Sequence, residues 1–398
     1  MWEKYVEAGS VPEIIRDRGK LSPRYIPEEL PHRESQIEAL KSLYMGSLEK
    51  PTRPFLQICQ VIGPVGTGKT ASCIRFGSAF EAESKRRGID LSHVYVNLKI
   101  HGASRQILYG HIAGKVAQKL YSRGLGANEL LYGMLRYLDR EHKFLLITLD
   151  EIDYYVRHVR DQVIYDLTRL NEAYSDGALN VFGIVFTARS TEFHGQLERA
   201  ELSTLGRTFM EFPAYTSTQL FDILQHRAQE ALNRGAYTDE ILEYIADVTA
   251  SPPVNGDVRY ALDLLLFSGN LAEGRGHDAI MPEDVRRVHG ETYPHVTSED
   301  IANLPEEERV ALMGVVRALQ IARDPYVTLK NIREMYKVVC EGLGEKPSKE
   351  VEALVQDLHD RGIIEIRKLT KIGMTGAPAQ ELDKFLSNLM DRVRGTYP

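Results

Sequence analysis

The stretch VIGPVGTGKTAS, Val61 to Ser72, combines three glycines with a Lys-Thr pair. It follows the apolar run FLQICQVI at 55–62, and the pattern of a helix extends from it to about residue 87. In the pattern G-x-x-x-x-G-K-[ST], backbone N–H groups wrap the phosphates of a nucleotide. The positions that match this pattern are Gly63, Gly68, Lys69 and Thr70. The sequence therefore predicts a strand, a phosphate-binding loop and a helix, with a flexible glycine turn as the alternative.

Each loop residue has a predicted task. Lys69 reaches the terminal phosphates of the nucleotide, and the Thr70 hydroxyl is a ligand for Mg²⁺. The remaining loop residues that we expect to contact nucleotide, mainly through their backbone, are Gly63, Pro64, Val65, Gly66, Thr67, Gly68 and Ala71.

An acidic pair closes a second apolar strand, in KFLLITLDEIDYY. Residues 144–149 are apolar or small, and Asp150 and Glu151 follow them directly. In a phosphate-binding fold of this kind a carboxylate must hold the Mg²⁺ ion, and a neighbouring acid can polarise the attacking water. We assign these roles to Asp150 and Glu151; a solvated strand end is the alternative, and Asp153 has no assigned role.

A third apolar strand lies in NVFGIVFTARS, from Val181 to Phe186, and ends at Thr187. Helical patterns at 103–122 and 159–174 separate the strands. Strands that alternate with helices predict an α/β fold with a parallel sheet, helices on both faces and the ligand at the carboxyl ends of the strands.

Length and composition limit the class of protein. The 398 residues predict two or three domains, and 43% hydrophobic with 26% charged residues is ordinary for a soluble protein. No apolar run has the roughly 20 residues that cross a bilayer, and the N-terminus lacks the pattern of a secretory signal, so we expect an intracellular protein with no membrane partner. The net charge of −7 argues against indiscriminate coating of nucleic acid. The three cysteines have no metal-ligand spacing and are interpreted as structural.

The chain changes character after residue 212, where amphipathic helical patterns replace the alternation of strands and helices. In GDVRYALDLL, Arg259 lies near a helix start, where a cation opposes the helix dipole; a phosphate contact and a plain surface arginine are both possible reasons. From residue 305 three helical patterns precede a hairpin pattern, which is the order of a winged helix. The basic hairpin at 361–371 either contacts DNA phosphates or is simply solvated.

The chain resembles the archaeal origin-recognition and cell-division-control (Orc/Cdc) replication initiators, which are AAA+ ATPases. Beside the phosphate-binding loop, the markers are YIPEELPHRESQIEAL, LDEID, STLGRTFMEFPAYTSTQL, GDVRYALDLL and the winged-helix pattern. The resemblance covers nearly the whole chain. It implies an AAA+ core with its N-terminal adenine-contacting segment at 1–212, a helical lid at 213–298 and a winged-helix DNA-binding domain at 299–398.

The resemblance also implies residue roles. Arg259 becomes the lid arginine that touches the γ-phosphate of ATP. The helix in HGASRQILYGHIAGK corresponds to an insertion that enters DNA minor grooves in this family, although an ordinary sheet-covering helix remains the alternative. The residues expected around the adenine are Tyr25, Ile26, Pro31, His32 and Arg33. The residues expected to contact DNA are Arg105, Lys115, Ser348, Lys349, Arg367, Lys368 and Lys371.

Three positions depart from the family pattern. Many members place an asparagine at the end of the third strand, where this chain offers Thr187, so we expect Thr187 to position the attacking water and hydrolysis to be slow. Arg199 and Arg207 compete as the arginine supplied to a neighbouring subunit, and Arg199 is favoured. The reading helix often begins with two arginines, where this chain has Ser348-Lys349, so we expect DNA binding that is weaker or more dependent on the wing and the insertion helix.

The implied function is ATP-dependent initiation of DNA replication, with ATP/ADP and Mg²⁺ as cofactors and nucleotide state as a switch. The implied partners are duplex origin DNA, an MCM-type replicative helicase, and other copies or paralogues of the chain. The expected location is the cytoplasm, at the nucleoid. One alternative is a P-loop regulatory ATPase whose C-terminal domain binds a protein. A helicase-like motor is a weaker one, because the sequence has no second phosphate-binding loop.

Overall fold

The computed structural model describes residues 13–51, 56–118, 124–159, 161–174, 177–293, 297–374 and 377–393. The chain divides into two compact units. The core unit comprises residues 26–215 and 256–258, and the helical unit comprises the described parts of 1–25, 216–255 and 259–398. Within the described ranges, no helix is both long and apolar enough to span a bilayer.

The strands and helices are numbered in chain order. The strands are β1 (Gln57–Ile62), β2 (Leu91–Asn97), β3 (Phe144–Asp150), β4 (Val181–Ala188), β5 (Phe209–Glu211), β6 (Tyr326–Val327), β7 (Glu365–Lys368) and β8 (Lys371–Gly373). The helices up to residue 205 are α1 (Arg18–Leu21), α2 (Glu34–Glu49), α3 (Lys69–Arg86), α4 (Leu98–His101), α5 (Arg105–Val116), α6 (Ala127–Arg140), α7 (Ile152–His158), α8 (Val163–Thr168), α9 (Leu170–Ala173) and α10 (Arg199–Leu205), with a 3₁₀ helix at Thr191–Gln196. The later helices are α11 (Ser217–Ala231), α12 (Asp239–Ala250), α13 (Val258–Gly274), α14 (Pro282–Thr292), α15 (Ser298–Ala302), α16 (Glu306–Ala322), α17 (Leu329–Leu343), α18 (Val351–Asp360) and α19 (Ala379–Val393).

A five-stranded sheet forms the centre of the core unit, with the order β2-β3-β4-β1-β5. All of its neighbouring strands run parallel. Every residue of β4 and six of the seven residues of β3 are buried, because helices cover both faces of the sheet. The α/β fold with a parallel sheet is therefore confirmed, and β1, β3 and β4 end at one edge.

Two apolar layers hold the helices to the sheet. On one face α2 and α3 contribute Tyr44, Phe76 and Phe80, whose rings lie 5.5 to 6.3 Å apart. On the other face the buried side chains of α5, α6, α7 and α8 form a second cluster with β3 and β4. These layers fix α3, and with it the loop that precedes it, against β1.

His93 of β2 is a partly buried titratable group at this core. Its Nε2 lies 2.9 Å from Thr148 Oγ1, and a Cβ at Gly77 would lie 1.8 Å from its Nδ1. Burial lowers the pKa of His93 from 6.5 to about 4.

The core unit should therefore lose stability on acidification. An unfolded chain binds a proton at His93 near pH 6.5, whereas the folded chain binds it only near pH 4. The contribution of neutral His93 to stability is therefore fully present above pH 6.5 and is lost as the pH falls from 6.5 to 4. Between pH 7 and pH 5, we expect the free energy of unfolding to fall by about 2 kcal/mol more in wild type than in His93→Gln. Chemical denaturation at the two pH values measures this difference. Equal losses in the two proteins would contradict this explanation.

The N-terminal segment packs on the helices of the lid region. Ile14 and Ile15 are buried, and both of their N–H groups donate to Glu273 Oε1 at 2.9 Å. Arg227 of α11 donates to the carbonyls of Lys20 and Tyr25. The segment up to Tyr25 thus lies in the helical unit, whereas the sequence-based boundaries placed it with the core; those boundaries stay a prediction.

The C-terminal part of the helical unit is a winged helix. Helices α16 to α19 surround one apolar core, and β6, β8 and β7 form an antiparallel three-stranded sheet beside it. The predicted order of three helices and a hairpin is confirmed, with the hairpin formed by β7 and β8.

Arg286 joins the lid region to the winged helix. Its side chain is 1% exposed and donates to the carbonyls of Met374, Asp324 and Pro325 at 2.8 to 3.2 Å. A carboxylate of the same helix, Glu283, pairs with it at 2.6 Å. A buried guanidinium is tolerated only when its donors are satisfied, so this arginine fixes the two regions to each other.

Some predicted boundaries were wrong. The helix expected at 103–122 ends at Val116, and residues 119–122 lie outside the described residues. The reading helix expected from Ser348 begins at Val351. The short strands β5 and β6 were not predicted, because two or three residues carry no periodicity; their pairing partners alone define them.

Candidate nucleotide-binding site and DNA-contacting residues

The loop between β1 and α3 has the backbone shape that a phosphate cradle needs. Gly66 and Gly68 have φ angles of +71° and +84°, in the region that favours glycine. A Cβ at Gly66 would lie 1.7 Å from Asp257 Oδ1, so no other residue fits there. The glycines of the motif are therefore required by conformation and by close packing.

The Lys69 ammonium lies over this loop. Its Nζ donates to the carbonyls of Gly63 and Pro64, each at 2.6 Å. Thr67 is held in the loop by a 3.0 Å hydrogen bond to the Pro64 carbonyl. A cation is thus placed at the mouth of the cradle, where the phosphates of a nucleotide would meet it.

Asp150, at the end of β3, is the centre of the site. This carboxylate is 3% exposed, and its Oδ2 accepts from Thr70 Oγ1 at 2.7 Å and from the Tyr95 hydroxyl at 2.6 Å. Its Oδ1 accepts from Thr187 Oγ1. The carboxylate and the Thr70 hydroxyl are the oxygen ligands that Mg²⁺ prefers, so the donor set fits that ion.

Glu151 has an unusual backbone conformation, with φ +61° and ψ +46°. Its N–H donates to Asp150 Oδ1 at 3.1 Å and Thr187 Oγ1 at 3.2 Å, which holds this conformation in place. Its Oε1 lies 3.7 Å from Arg189 Nη2. A strained residue that its surroundings hold in place is typical of functional sites.

Thr187, at the end of β4, contacts both acids of the site. Its side chain is 1% exposed, and its hydroxyl contacts Asp150 and the Glu151 N–H. In this arrangement Thr187 orients the two acids instead of facing solvent. The positioning of water by Thr187 stays a prediction, and the side chain from this strand end that reaches Glu151 is Arg189.

Arg33, expected near the adenine, is a buried residue of the core unit that links three backbone segments. It donates to the carbonyls of His32, Thr67 and Pro213, each at 2.8 Å, and its guanidinium lies 3.9 Å from the Tyr215 ring centroid. Burial lowers its pKa. The Thr67 contact means that Arg33 supports the phosphate-binding loop from behind.

The other residues expected around the adenine are split between the units. Ile26 and the turn of Pro31 and His32 belong to the core unit, where Arg75 of α3 binds the carbonyls of Ile26 and Pro27. Tyr25 belongs to the helical unit, between the cations of Lys20 and Arg227. Contact of this set with adenine stays a prediction.

The predicted arginines of the site stand at three places. Arg259 is in the helical unit, whereas Asp257 and Val258 belong to the core unit and the Val258 N–H donates to the Gly66 carbonyl at 3.2 Å. Arg199 and Arg207 are both exposed, as an arginine that reaches a neighbouring subunit must be. The choice between them, and the role of Arg259, stay predictions.

The helix expected to enter DNA is α5. Leu108 and Ile112 are buried against the sheet cluster, Ile107 is 52% exposed and Lys115 is exposed. Arg105 pairs with Asp166 at 2.8 Å. The helix therefore covers the sheet and keeps an exposed face, which leaves DNA contact by Arg105 and Lys115 as a prediction.

The predicted DNA contacts of the wing have different surroundings. Arg367 pairs with Asp247 at 3.2 Å and Glu365 at 2.7 Å, and Lys371 pairs with Glu243 at 2.6 Å. Asp247 and Glu243 lie on α12, so these two cations bind the lid region.

Lys368 is exposed, and so is Lys349, which with Ser348 precedes α18 instead of lying on it. DNA contact by Ser348, Lys349, Arg367, Lys368 and Lys371 stays a prediction.

Sequence reasoning missed Tyr95, Arg75 and Arg189. Tyr95 faces the site because β2 pairs with β3 in a register that aligns Asn97 with Asp150. Burial, and then the charge of Asp150, raise its pKa. No spacing in the sequence connects these residues to the loop; only Arg189, two residues beyond Thr187, could have been proposed from its position at the strand end.

Comparisons with known proteins agree with this architecture. Residues 57–197 match a family model described as AAA domain, residues 221–290 the Cdc6 AAA+ ATPase-type lid domain, and residues 299–376 the CDC6 C-terminal winged helix domain. The fold and site define an AAA+ ATPase with a lid and a winged helix.

Curated relatives give the family. ORC1-type DNA replication protein 1 of Sulfolobus acidocaldarius is 32% identical over 362 residues, 90% of this chain and 87% of that protein. ORC1-type DNA replication protein 2 of Saccharolobus solfataricus is 29% identical over 369 residues, 91% of this chain and 88% of that protein. The chain belongs to the family of ORC1-type DNA replication proteins.

Solved structures share the fold. The crystal structure of Cdc6p from Pyrobaculum aerophilum matches with a TM-score of 0.78 and 27% identity, covering 96% of this chain and 99% of that one. The Aeropyrum pernix ORC1 protein in complex with DNA matches with a TM-score of 0.60 and 28% identity over the same shares.

Proposed function

We propose that this protein binds duplex origin DNA in an ATP-dependent manner, initiates DNA replication and helps recruit an MCM-type replicative helicase. The observation that carries the proposal is one chain that joins the site around Asp150 to a winged helix, within the ORC1-type family. The Aeropyrum pernix relative, whose structure is a complex with DNA, supports the DNA part. We place its action at the nucleoid.

The proposed site holds ATP with Mg²⁺. Bound Mg²⁺ neutralises phosphate charge and orients the γ-phosphate. The Thr70 hydroxyl and the Asp150 carboxylate would hold the ion, Lys69 would contact the terminal phosphates, and Glu151 would accept the proton of the attacking water. Because both acids are oriented by Thr187 and not by an asparagine, we propose slow turnover that serves regulation.

Nucleotide state is proposed to act as a switch. Lys69 belongs to the core unit and Arg259 to the helical unit. If both contact ATP, loss of the γ-phosphate removes contacts that only one arrangement of the units makes, and the equilibrium between arrangements shifts. Identical small-angle scattering profiles for the ATP and ADP forms would rule the switch out and leave DNA binding standing.

The first test is fluorescence anisotropy with duplex DNA in ATP over a salt series. One duplex comes from the region upstream of the protein's own gene, and a scrambled duplex is the control. We expect a specificity ratio of about 10³ or more. Equal, weak binding that vanishes near physiological salt would contradict origin recognition and favour a regulatory ATPase whose C-terminal domain binds a protein.

A further inference from the structure

The exposed face of α17 carries a row of cations. Lys330, Arg333 and Lys337 are spaced by three and four residues, so they lie on one side of the helix, and all three are exposed. From Lys330 to Lys337 the helix rises roughly 10 Å, the length that about three successive phosphates of one DNA strand occupy along the duplex axis.

The tip of the wing lies against the start of this helix. The Leu329 N–H donates to the Leu369 carbonyl at 3.0 Å, which fixes the turn between β7 and β8 beside Lys330. Lys368 is exposed, and the Leu369 side chain is 70% exposed. The turn therefore extends the row of α17 by one cation and adds an apolar side chain at its end.

The surfaces on which DNA contacts were expected are less suited to phosphate. Helix α18, VEALVQDLHD, contains no lysine or arginine, and it carries Glu352, Asp357 and Asp360. Arg367 and Lys371 are bound to carboxylates of α12. A negatively charged helix repels phosphate, and cations that are already paired must lose their partners before they can bind it.

Lys330 and Lys337 of α17 are held less firmly than Arg367 and Lys371, whereas Arg333 has a close carboxylate partner. Lys330 lies 4.0 Å from Glu334 with both side chains mostly exposed, and Arg333 pairs with the half-exposed Glu352. Exposed pairs of this kind are weak and are screened by salt. Among the described residues, no carboxylate lies within ion-pair distance of Lys337 or Lys368.

We propose that the winged helix contacts duplex DNA through α17 and the wing tip, by Lys330, Arg333, Lys337 and Lys368 on the phosphates, and not through α18. The proposal rests on the DNA binding proposed above and assigns it to a surface. The contact is with the sugar-phosphate backbone, so it sets affinity and orientation, while base readout comes from elsewhere in the chain.

The test is a triple variant, Lys330→Ala, Lys337→Ala and Lys368→Ala, in the full chain. Arg333 is left in place because it joins α17 to α18. The matched control removes three exposed cations that lie outside α17 and the wing, Arg24→Ala, Arg234→Ala and Lys384→Ala, and so has the same net charge. Both proteins, with wild type, bind one fluorescent duplex over a salt series.

We expect the triple variant to lose at least tenfold in affinity and about 2.7 units of the slope of log affinity against log salt, since each phosphate contact contributes roughly 0.9. The control should keep the wild-type slope. Reductive methylation of wild type gives a second readout, in which DNA should protect Lys330, Lys337 and Lys368 but not Lys384.

Other outcomes separate the two proposals. A triple variant that binds as wild type does, with Lys349→Ala losing affinity instead, would overturn the α17 surface and leave the proposed function intact. A wild-type protein that binds no duplex would overturn both and direct the search to an acidic protein partner for α17.

Discussion

Replacing Glu151 by glutamine is expected to reduce ATP turnover by about 10²-fold or more while ATP binding is retained. Glutamine keeps the shape of the side chain but cannot accept the proton of the attacking water. The Glu151 backbone should keep its conformation, because the contacts to Asp150 and Thr187 come from its N–H. Phosphate release under single-turnover conditions and binding of a fluorescent ATP analogue measure the two effects.

Glu192→Gln is the matched control, since Glu192 is an exposed acid of the same unit. It should leave turnover unchanged. Unchanged turnover in Glu151→Gln itself would remove Glu151 from the mechanism, whereas loss of both turnover and ATP binding would assign it to the binding of ATP.

Replacing Lys69 by alanine is expected to weaken ATP binding by about 10²-fold, the equivalent of ~3 kcal/mol. The loss comes from charge-assisted contacts to the terminal phosphates, so AMP, which lacks them, should bind both proteins alike. The protein without nucleotide should nearly keep its thermal midpoint, because Pro64 is exposed and its carbonyl can bind water in place of Lys69, so only the contact to the buried Gly63 is lost. Isothermal calorimetry with ATP, ADP and AMP measures the difference.

Lys85→Ala is the control for this variant. Lys85 is an exposed lysine near the far end of the same helix, α3. It should bind all three nucleotides as wild type does. Equal weakening of AMP and ATP by Lys69→Ala would show a distorted loop instead of a lost phosphate contact.

The predictions from sequence that succeeded rest on local patterns. The motif around Lys69 determines the conformation of the loop from residues close in sequence. Gly66 and Gly68 adopt the positive φ angles that the loop needs, and Lys69 directly follows them. The apolar runs of β3 and β4 predict buried parallel strands, and parallel strands bring their carboxyl ends to one edge. Because the loop after β1 and the end of β3 lie at this edge, Thr70 comes within hydrogen-bond distance of Asp150.

The surroundings of several predicted side chains depend on partners far along the chain. Arg367 and Lys368 are adjacent in a basic hairpin, and the sequence does not distinguish them. In the structure one is bound by Asp247, 120 residues away, and the other is exposed. Arg33 was expected beside adenine, which stays a prediction, and its contacts to the Thr67 and Pro213 carbonyls could not be read from the sequence.

The sequence by itself determined the phosphate-binding loop, the acidic strand end, the parallel sheet and the winged helix, because each is encoded by residues close together in the chain. Only the tertiary structure decided which charged side chains are available to a ligand. Strand register brings Tyr95 to the site, and packing brings Arg189 to Glu151 and Arg33 to the loop. Arg367 of the wing forms an ion pair with Asp247. The physical reason is that a charge binds whatever opposite charge folding brings nearest, and that partner is set by long-range contacts.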